Sequence, residues 1–132
     1  MTDFQEIDRH EIAVQFVRGR DELADIRRAW NELEAVVALR GRHFYGAFDA
    51  AANEYRACVE VRDGDELTPG LESGTLPGGR YLRTRLQGEP PGVYERIGPT
   101  FDELTRQAKP DETRPSLEHY RRHDTIDLLL PI

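Results

Sequence analysis

Two stretches of this chain carry the same apolar pattern 71 residues apart, and that repetition constrains the fold more than any other feature. Leu23, Ile26, Trp30, Leu33 and Val37 recur at spacings of three and four, the period of one helical face, and the offset lands on Tyr94, Ile97, Phe101, Leu104 and Ala108. It also carries Tyr55, Ala57, Val59 and Val61 onto Ile126, Leu128, Leu130 and Ile132, both sets at the two-residue spacing of a half-buried strand. An offset of 70 carries Ile12 and Phe16 onto Leu82 and Leu86. The pattern predicts two copies of strand, helix, strand, strand.

One such copy makes a three-stranded sheet with a helix on one face, too small to bury its apolar stripe well. Two copies are expected to complete one antiparallel sheet about a pseudo-twofold axis, with the helices flanking a ligand cleft; internal interfaces of this kind are common ligand sites. The fold class is α+β. A single domain is expected over residues 1–132, with module one at about 10–62, a linker at 63–74 and module two at about 75–132.

Residues 10–17 read as a first strand with Ile12, Val14 and Phe16 on one face, ending at the Gly19 turn. A helix is expected over 21–40, with Asp21 as N-cap and Gly41 as stop. A second strand over 43–49 puts Phe44, Gly46 and Phe48 on one face and Tyr45 and Ala47 on the other. A third, over 54–61, points Tyr55, Ala57, Val59 and Val61 inward and Arg56, Cys58 and Glu60 outward. The polar segment 62–74 reads as a linker between the halves. Beyond it, Pro77-Gly78-Gly79 is a turn, and the strand over 80–87 sets Leu82, Thr84 and Leu86 opposite Tyr81, Arg83 and Arg85. A second helix is expected over 92–109, in which Gly98-Pro99 kinks the helix or marks its start.

The C-terminal run from Arg114, R-P-S-L-E-H-Y-R-R-H-D-T-I-D-L-L-L-P-I, carries the candidate chemistry. An extended 116–120 puts Glu118 and Tyr120 on one face and Leu117 and His119 on the other. After a polar bend at His123 and Asp124, a last strand buries Ile126, Leu128, Leu130 and Ile132, so a carboxylate and a phenol are delivered beside a core.

This run, with L-P-G-G-R-Y at 76–81, resembles the GyrI-like small-molecule-binding family, the effector-binding domain of bacterial transcription activators. In that family a strand bearing Glu, with Tyr two residues later, precedes a closing strand ending in Ile-Pro. The matching positions here are Glu118, Tyr120 and Leu130-Pro131-Ile132. The resemblance implies duplicated modules with a ligand between them, Glu118 at the cleft floor meeting positively charged ligands, and Tyr120 lining the same site. Tyr81 matches the family's Pro-Gly-Gly-x-Tyr position. Tyr45, Phe44 and Phe48 lie on the strand equivalent to that of Glu118, and half of them belong to the core. Trp30 runs beside the groove on its helix stripe. The candidate ligand-binding set is therefore Glu118, Tyr120, Tyr81, Trp30, Tyr45, Phe44 and Phe48, and Arg83 or Arg85 could tie up Glu118 in a salt bridge.

A formal net charge of −7 argues against a nucleic-acid surface, which needs clustered cations, and favours cationic partners. No basic start precedes an apolar run and nothing reaches membrane-spanning length, so a cytoplasmic protein is expected. Cys58 is the one cysteine, which excludes an intramolecular disulfide and suits a small buried hydrophobe. His119 and His123 have metal spacing only on a helix, and Ser116, His119 and Asp124 are crowded onto one strand, so neither a metal site nor a hydrolytic triad is expected. No cofactor is implied.

Three functional readings follow. The first is a stand-alone sensor or sequestering module for hydrophobic, cationic aromatic small molecules, in the manner of multidrug binders. With a strand starting by about residue 10 there is no room for the helix-turn-helix that relatives carry ahead of this domain, so a transcription role would use a homodimer or a separate regulator protein. The second, implied by the resemblance because some GyrI-like proteins are such enzymes, is a hydrolase of strained, cyclopropane-type natural products, with Glu118 as general acid or base. The third, also implied by the resemblance, is a protein-interaction module like the topoisomerase inhibitors among the GyrI-like proteins.

Overall fold

Alternating apolar and polar residues turn most of the chain into strands. In a computed structural model describing residues 3–132, these are β1 (Gln5–Arg9), β2 (Ile12–Arg20), β3 (Phe44–Asp49), β4 (Glu54–Glu60), β5 (Glu72–Leu76), β6 (Gly79–Gln87), β7 (Ser116–Arg122) and β8 (Thr125–Pro131). The helices are α1 (Leu23–Val36), α2 (Gly92–Glu95) and α3 (Ile97–Gln107). All eight strands form one antiparallel sheet in the order β1-β6-β8-β7-β3-β4-β2-β5. At its centre β7 pairs with β3, and outward from that seam each side repeats the other, β8 then β6 against β4 then β2. The units β2-α1-β3-β4 and β6-α2-α3-β7-β8 thus take corresponding places on either side of the seam.

The two outermost strands are a departure from the sequence reading. Residues expected to be linker supply Leu71, which is buried, and the first part of β5; the N-terminal segment supplies β1. Their sequences, E-S-G-T-L and Q-E-I-D-R, are mostly polar because each strand pairs on one side alone, so they lack a core-strand pattern. β1 pairs with β6 and β5 pairs with β2, in a single register that steps from Gln5↔Arg83 through Arg9↔Gly79 to Ile12↔Leu76 and Phe16↔Glu72 without a slip. β1-β2 and β5-β6 therefore form one long ribbon, bent where His10-Glu11 crosses Pro77-Gly78.

That ribbon joins strands from opposite ends of the sheet order. Each link spans two residues, so its flanking Cα atoms lie at most about 11 Å apart, and the sheet must curl until its ends meet. Gly78 sits at the crossing. A Cβ there would stand 2.7 Å from the Arg9 carbonyl oxygen and 2.8 Å from the Glu11 nitrogen. Both are backbone atoms, so only glycine fits. Arg114 secures the corner, its guanidinium lying 4.9 Å over the Tyr81 ring and hydrogen-bonding the carbonyls of Gly78, Arg80 and Ile132.

Curling gives the sheet two buried faces. Inside lie Val14, Phe16, Tyr45, Ala47, Cys58, Leu76, Tyr81, Leu117 and Leu129. Outside, α1 covers Val17, Tyr55, Ala57 and Val59, and α3 covers Leu82, Leu86, Ile126, Leu128 and Leu130. Cys58 is accordingly not outward in solvent but enclosed in the inner core, and burial pushes its thiol up to about 12. Alternation separates the two faces but does not say which is wet, because neither is.

The helices differ from expectation at their ends. α1 stops at Val36, where a Val-Val pair enters extended backbone, and Gly41 takes its positive φ in the turn beyond. Glu22 rather than Asp21 occupies the N-cap. The helix expected over 92–109 is two helices meeting at Arg96, and Pro99 is the third residue of α3, where its missing N–H costs nothing. No helix among the described residues is long and apolar enough to cross a membrane.

Gly78→Ala is expected to lower stability by about 1–3 kcal/mol, the usual cost of overpacking. Gly92→Ala, where a Cβ meets nothing within 4 Å, is expected to change it by less than about 0.5 kcal/mol. Urea unfolding of the two variants checks this.

Candidate functional site

The site is built across the central seam, on the helix-covered face. β7 alternates so that Leu117 and His119 enter the inner face while Glu118 and Tyr120 face the helices. Glu118 is paired with Gly46 of β3. The Gly46 position has no room for a side chain, because a Cβ would run into the Tyr55 hydroxyl and Glu118 Oε1. The absent side chain of one central strand thus leaves space for the acid of the other.

Glu118 is 7% exposed and pairs with no arginine among the described residues. Its Oε1 accepts hydrogen bonds from the Tyr55 hydroxyl at 2.8 Å and the Tyr120 hydroxyl at 2.6 Å. Tyr55 in turn accepts from the Trp30 indole N–H at 3.0 Å, so α1, β4 and β7 meet in one relay. Oε2 takes no hydrogen bond among the described residues. Burial raises the Glu118 pKa, the two phenols lower it in part, and Asp21 adds a smaller upward push. Both phenols are held well above their ordinary range, by burial first and by the Glu118 charge second, so they remain protonated donors.

Rings surround this acid. Trp30 meets Tyr120 edge-on at 5.3 Å and Phe44 at 6.3 Å, and Tyr94, on α2, meets Tyr120 at 6.4 Å. Phe48 borders the cluster and packs on Phe101 at 5.0 Å. In this arrangement the rings themselves occupy the space over the carboxylate. Two cavities, of about 490 and about 180 Å³, open elsewhere, beside Arg18, Asp25 and Arg28 and beside Asp49, Arg56 and Pro115.

Of the residues proposed from sequence, Glu118, Tyr120, Trp30, Phe44 and Phe48 are brought together here. Tyr45 and Tyr81 are not. Both point into the inner core, Tyr45 stacked on His119 at 4.3 Å and Tyr81 donating to the Pro77 carbonyl at 2.6 Å. Their strand parity is opposite to that of Glu118, and an apolar inner face holds them there. Arg83 and Arg85 also lie on that side, on Asp127, so neither answers Glu118. Sequence reasoning missed Tyr55, read only as core. A hydroxyl in an otherwise aliphatic strand needs a buried partner, and that was the available signal. It also set aside Tyr94, which is 45% exposed at the margin of the cluster. Glu89, His123 and Asp124 bring ligand atoms within 4.8 Å of one another near the β7–β8 turn, but Glu89 and His123 lie in solvent.

Comparison with known proteins identifies the family and the fold. Residues 22–132 match the Cass2 family, described as integron-associated effector binding protein. The chain belongs to that family. It is an effector-binding domain of the GyrI-like fold, and its class of ligand is a small molecule. An integron cassette protein from Vibrio cholerae superposes with a TM-score of 0.78 at 16% identity, over 97% of this chain and 94% of that one. SAV2435, solved bound to tetraphenylphosphonium, gives 0.64 at 12% identity, over 98% and 93%. A structure described as a hydrolase from Listeria innocua gives 0.60 at 12% identity, over 98% and 90%. Among curated proteins none matches.

Gly46→Ala is expected to expel either the Tyr55 hydroxyl or the Glu118 carboxylate and to destabilise by about 1–3 kcal/mol, with a changed Trp30 emission as its local mark. Glu118 also gives the site a pH signature. A carboxyl whose folded pKa is raised binds more protons folded than unfolded, so its contribution is fully present below the ordinary 4.5 and is lost as pH rises through the raised value. Glu118→Gln is therefore expected to gain stability relative to the unsubstituted chain as pH rises above 4.5, measured by denaturant titration at several pH values.

Proposed function

We propose that the chain binds hydrophobic, cationic aromatic small molecules at Glu118, between α1 and α2, and acts in the cytoplasm as a stand-alone sensor or sequestering protein. One observation carries this reading: a buried carboxylate among rings, hydrogen-bonded by neutral phenols, with no cationic partner among the described residues. Its desolvation is already met in the free protein, so an incoming cation gains the attraction without that cost. At an effective dielectric near 20 the attraction is up to about 4 kcal/mol at close range. Each ring face in reach of the cation adds about 0.5–2 kcal/mol.

Neither contribution asks for a defined ligand outline. Broad selectivity for greasy, aromatic cations follows, with Trp30, Phe44, Tyr94 and Tyr120 as the surfaces that receive them. The tetraphenylphosphonium bound to SAV2435 is a compound of this kind, which supports the reading. Entry requires the Trp30 and Tyr120 rings to part, and Trp30 is the chain's one tryptophan, so its fluorescence reports occupancy.

Tetraphenylphosphonium is expected to change Trp30 emission saturably, and Glu118→Gln to weaken that binding by about tenfold or more. Unchanged affinity in the variant would remove the proposal. The raised Glu118 pKa beside two positioning phenols also suits a general acid, which keeps a hydrolase reading in view. Product formation from a cyclopropane-bearing substrate, lost in Glu118→Gln, would favour it over binding alone.

A further inference from the structure

The inner face of the sheet holds a second polar cluster, separate from the Glu118 site. Tyr45, His119, Asp127 and Arg85 lie side by side on β3, β7, β8 and β6, so their side chains form one row across the inside of the curl. Asp127 is 1% exposed. Arg85 donates to its two oxygens at 2.7 and 3.2 Å, while Arg121 and Arg83 stand 3.5 and 3.9 Å from Oδ2. Burial alone would raise the Asp127 pKa, but the Arg85 hydrogen bonds and the charges of Arg85, Arg83 and Arg121 bring it below the ordinary value.

One carboxylate cannot occupy three guanidiniums. Together they bring about fifteen N–H donors to about four acceptor sites. Arg83 also donates to Gln5, and Arg121 makes no other ion pair among the described residues. The side chains of Arg83, Arg85 and Arg121 are 27%, 41% and 47% exposed, so they rim the cluster rather than sit inside it. Arg9 adds a fourth guanidinium at the far end of the row, donating to the Tyr45 hydroxyl at 2.7 Å.

Beneath this rim His119 is 6% exposed, and both of its ring nitrogens are enclosed without a hydrogen-bond partner among the described residues. A buried polar group left without a partner is uncommon and asks for one. A chain of net charge −7 has therefore gathered positive charge at one place, around a single acid and over a ring with unused hydrogen-bonding capacity.

We propose that this end of the inner face is an anion site, in which Arg83 and Arg121 grip a phosphate group while Asp127 and Arg85 fix the guanidiniums in place. Guanidinium forks match phosphate oxygens two at a time, and a dianion answers more of the surplus charge than a carboxylate does. His119, the cross-strand neighbour of Asp127, senses the bound group. The site is on the opposite face of the sheet from Glu118, so it does not compete with the cation reading and does not rest on it.

The test is thermal unfolding at fixed pH and ionic strength, with chloride replaced by inorganic phosphate, phenyl phosphate or acetate. Phosphate is expected to raise the midpoint saturably and to shift the His119 ring resonances in NMR spectra. The phosphate compound with the lower half-saturation tells whether the ion is taken free or carried on a small molecule. The double variant Arg83→Gln with Arg121→Gln is expected to raise the half-saturation concentration about tenfold or more, with its circular dichroism unchanged. Three results would overturn the assignment: no saturable response, acetate equal to phosphate, or an undiminished response in the folded double variant. Should that variant not fold, Arg121→Gln alone supplies the comparison.

Discussion

The structure depends on a bend in one two-stranded ribbon. β1-β2 and β5-β6 keep a single antiparallel register on both sides of the corner, and at the corner Gly78 touches the backbone of the crossing strand. Because each arm of the ribbon belongs to a different end of the strand order, the bend obliges the sheet to curl. Curling creates an inner face that needs no helix, and it leaves the outer face for α1 and α3 to cover. Glu118 and Asp127 lie on these two opposite faces, on the neighbouring strands β7 and β8.

Placing Glu118 on the outer face next to the seam sets its energetics. A carboxylate taken out of water is costly unless paired. Here two phenols, and through Tyr55 the Trp30 indole, make up part of that cost while adding no positive charge. Asp127, one strand over on the inner face, is the opposite case, with its charge answered several times by arginine. Parity along β7 and β8 keeps the two apart. A one-residue slip in β7 would turn Glu118 to the inner face, and one in β8 would turn Asp127 to the outer.

Much of this was legible in the chain itself. The helix stripes placed α1 and α3, and the parity of residues 116–120 gave the company of Glu118 and Tyr120. Phe44 and Phe48 share parity with Gly46 and so come to the same face. What stayed hidden has physical reasons. β1 and β5 are polar edge strands with no two-sided apolar run, and their pairing partners lie far away in sequence. Tyr45 and Tyr81 share no face with Glu118, but a sheet buried on both sides does not mark either face as wet. Tyr55 has the alternation of a core residue, and its hydroxyl partner is 63 positions distant.

The pairing of Gly46 with Glu118 has a consequence for stoichiometry. A scaffold with twofold character would ordinarily offer two equivalent seats, one per module, or a shared seat that a guest could occupy in either sense. Here the central strands contribute unlike halves, an acid from one and a vacancy from the other. The chain consequently presents a single negative pole at the seam of its two modules, so the binding proposed for Glu118 carries one guest per chain and one direction for it to lie.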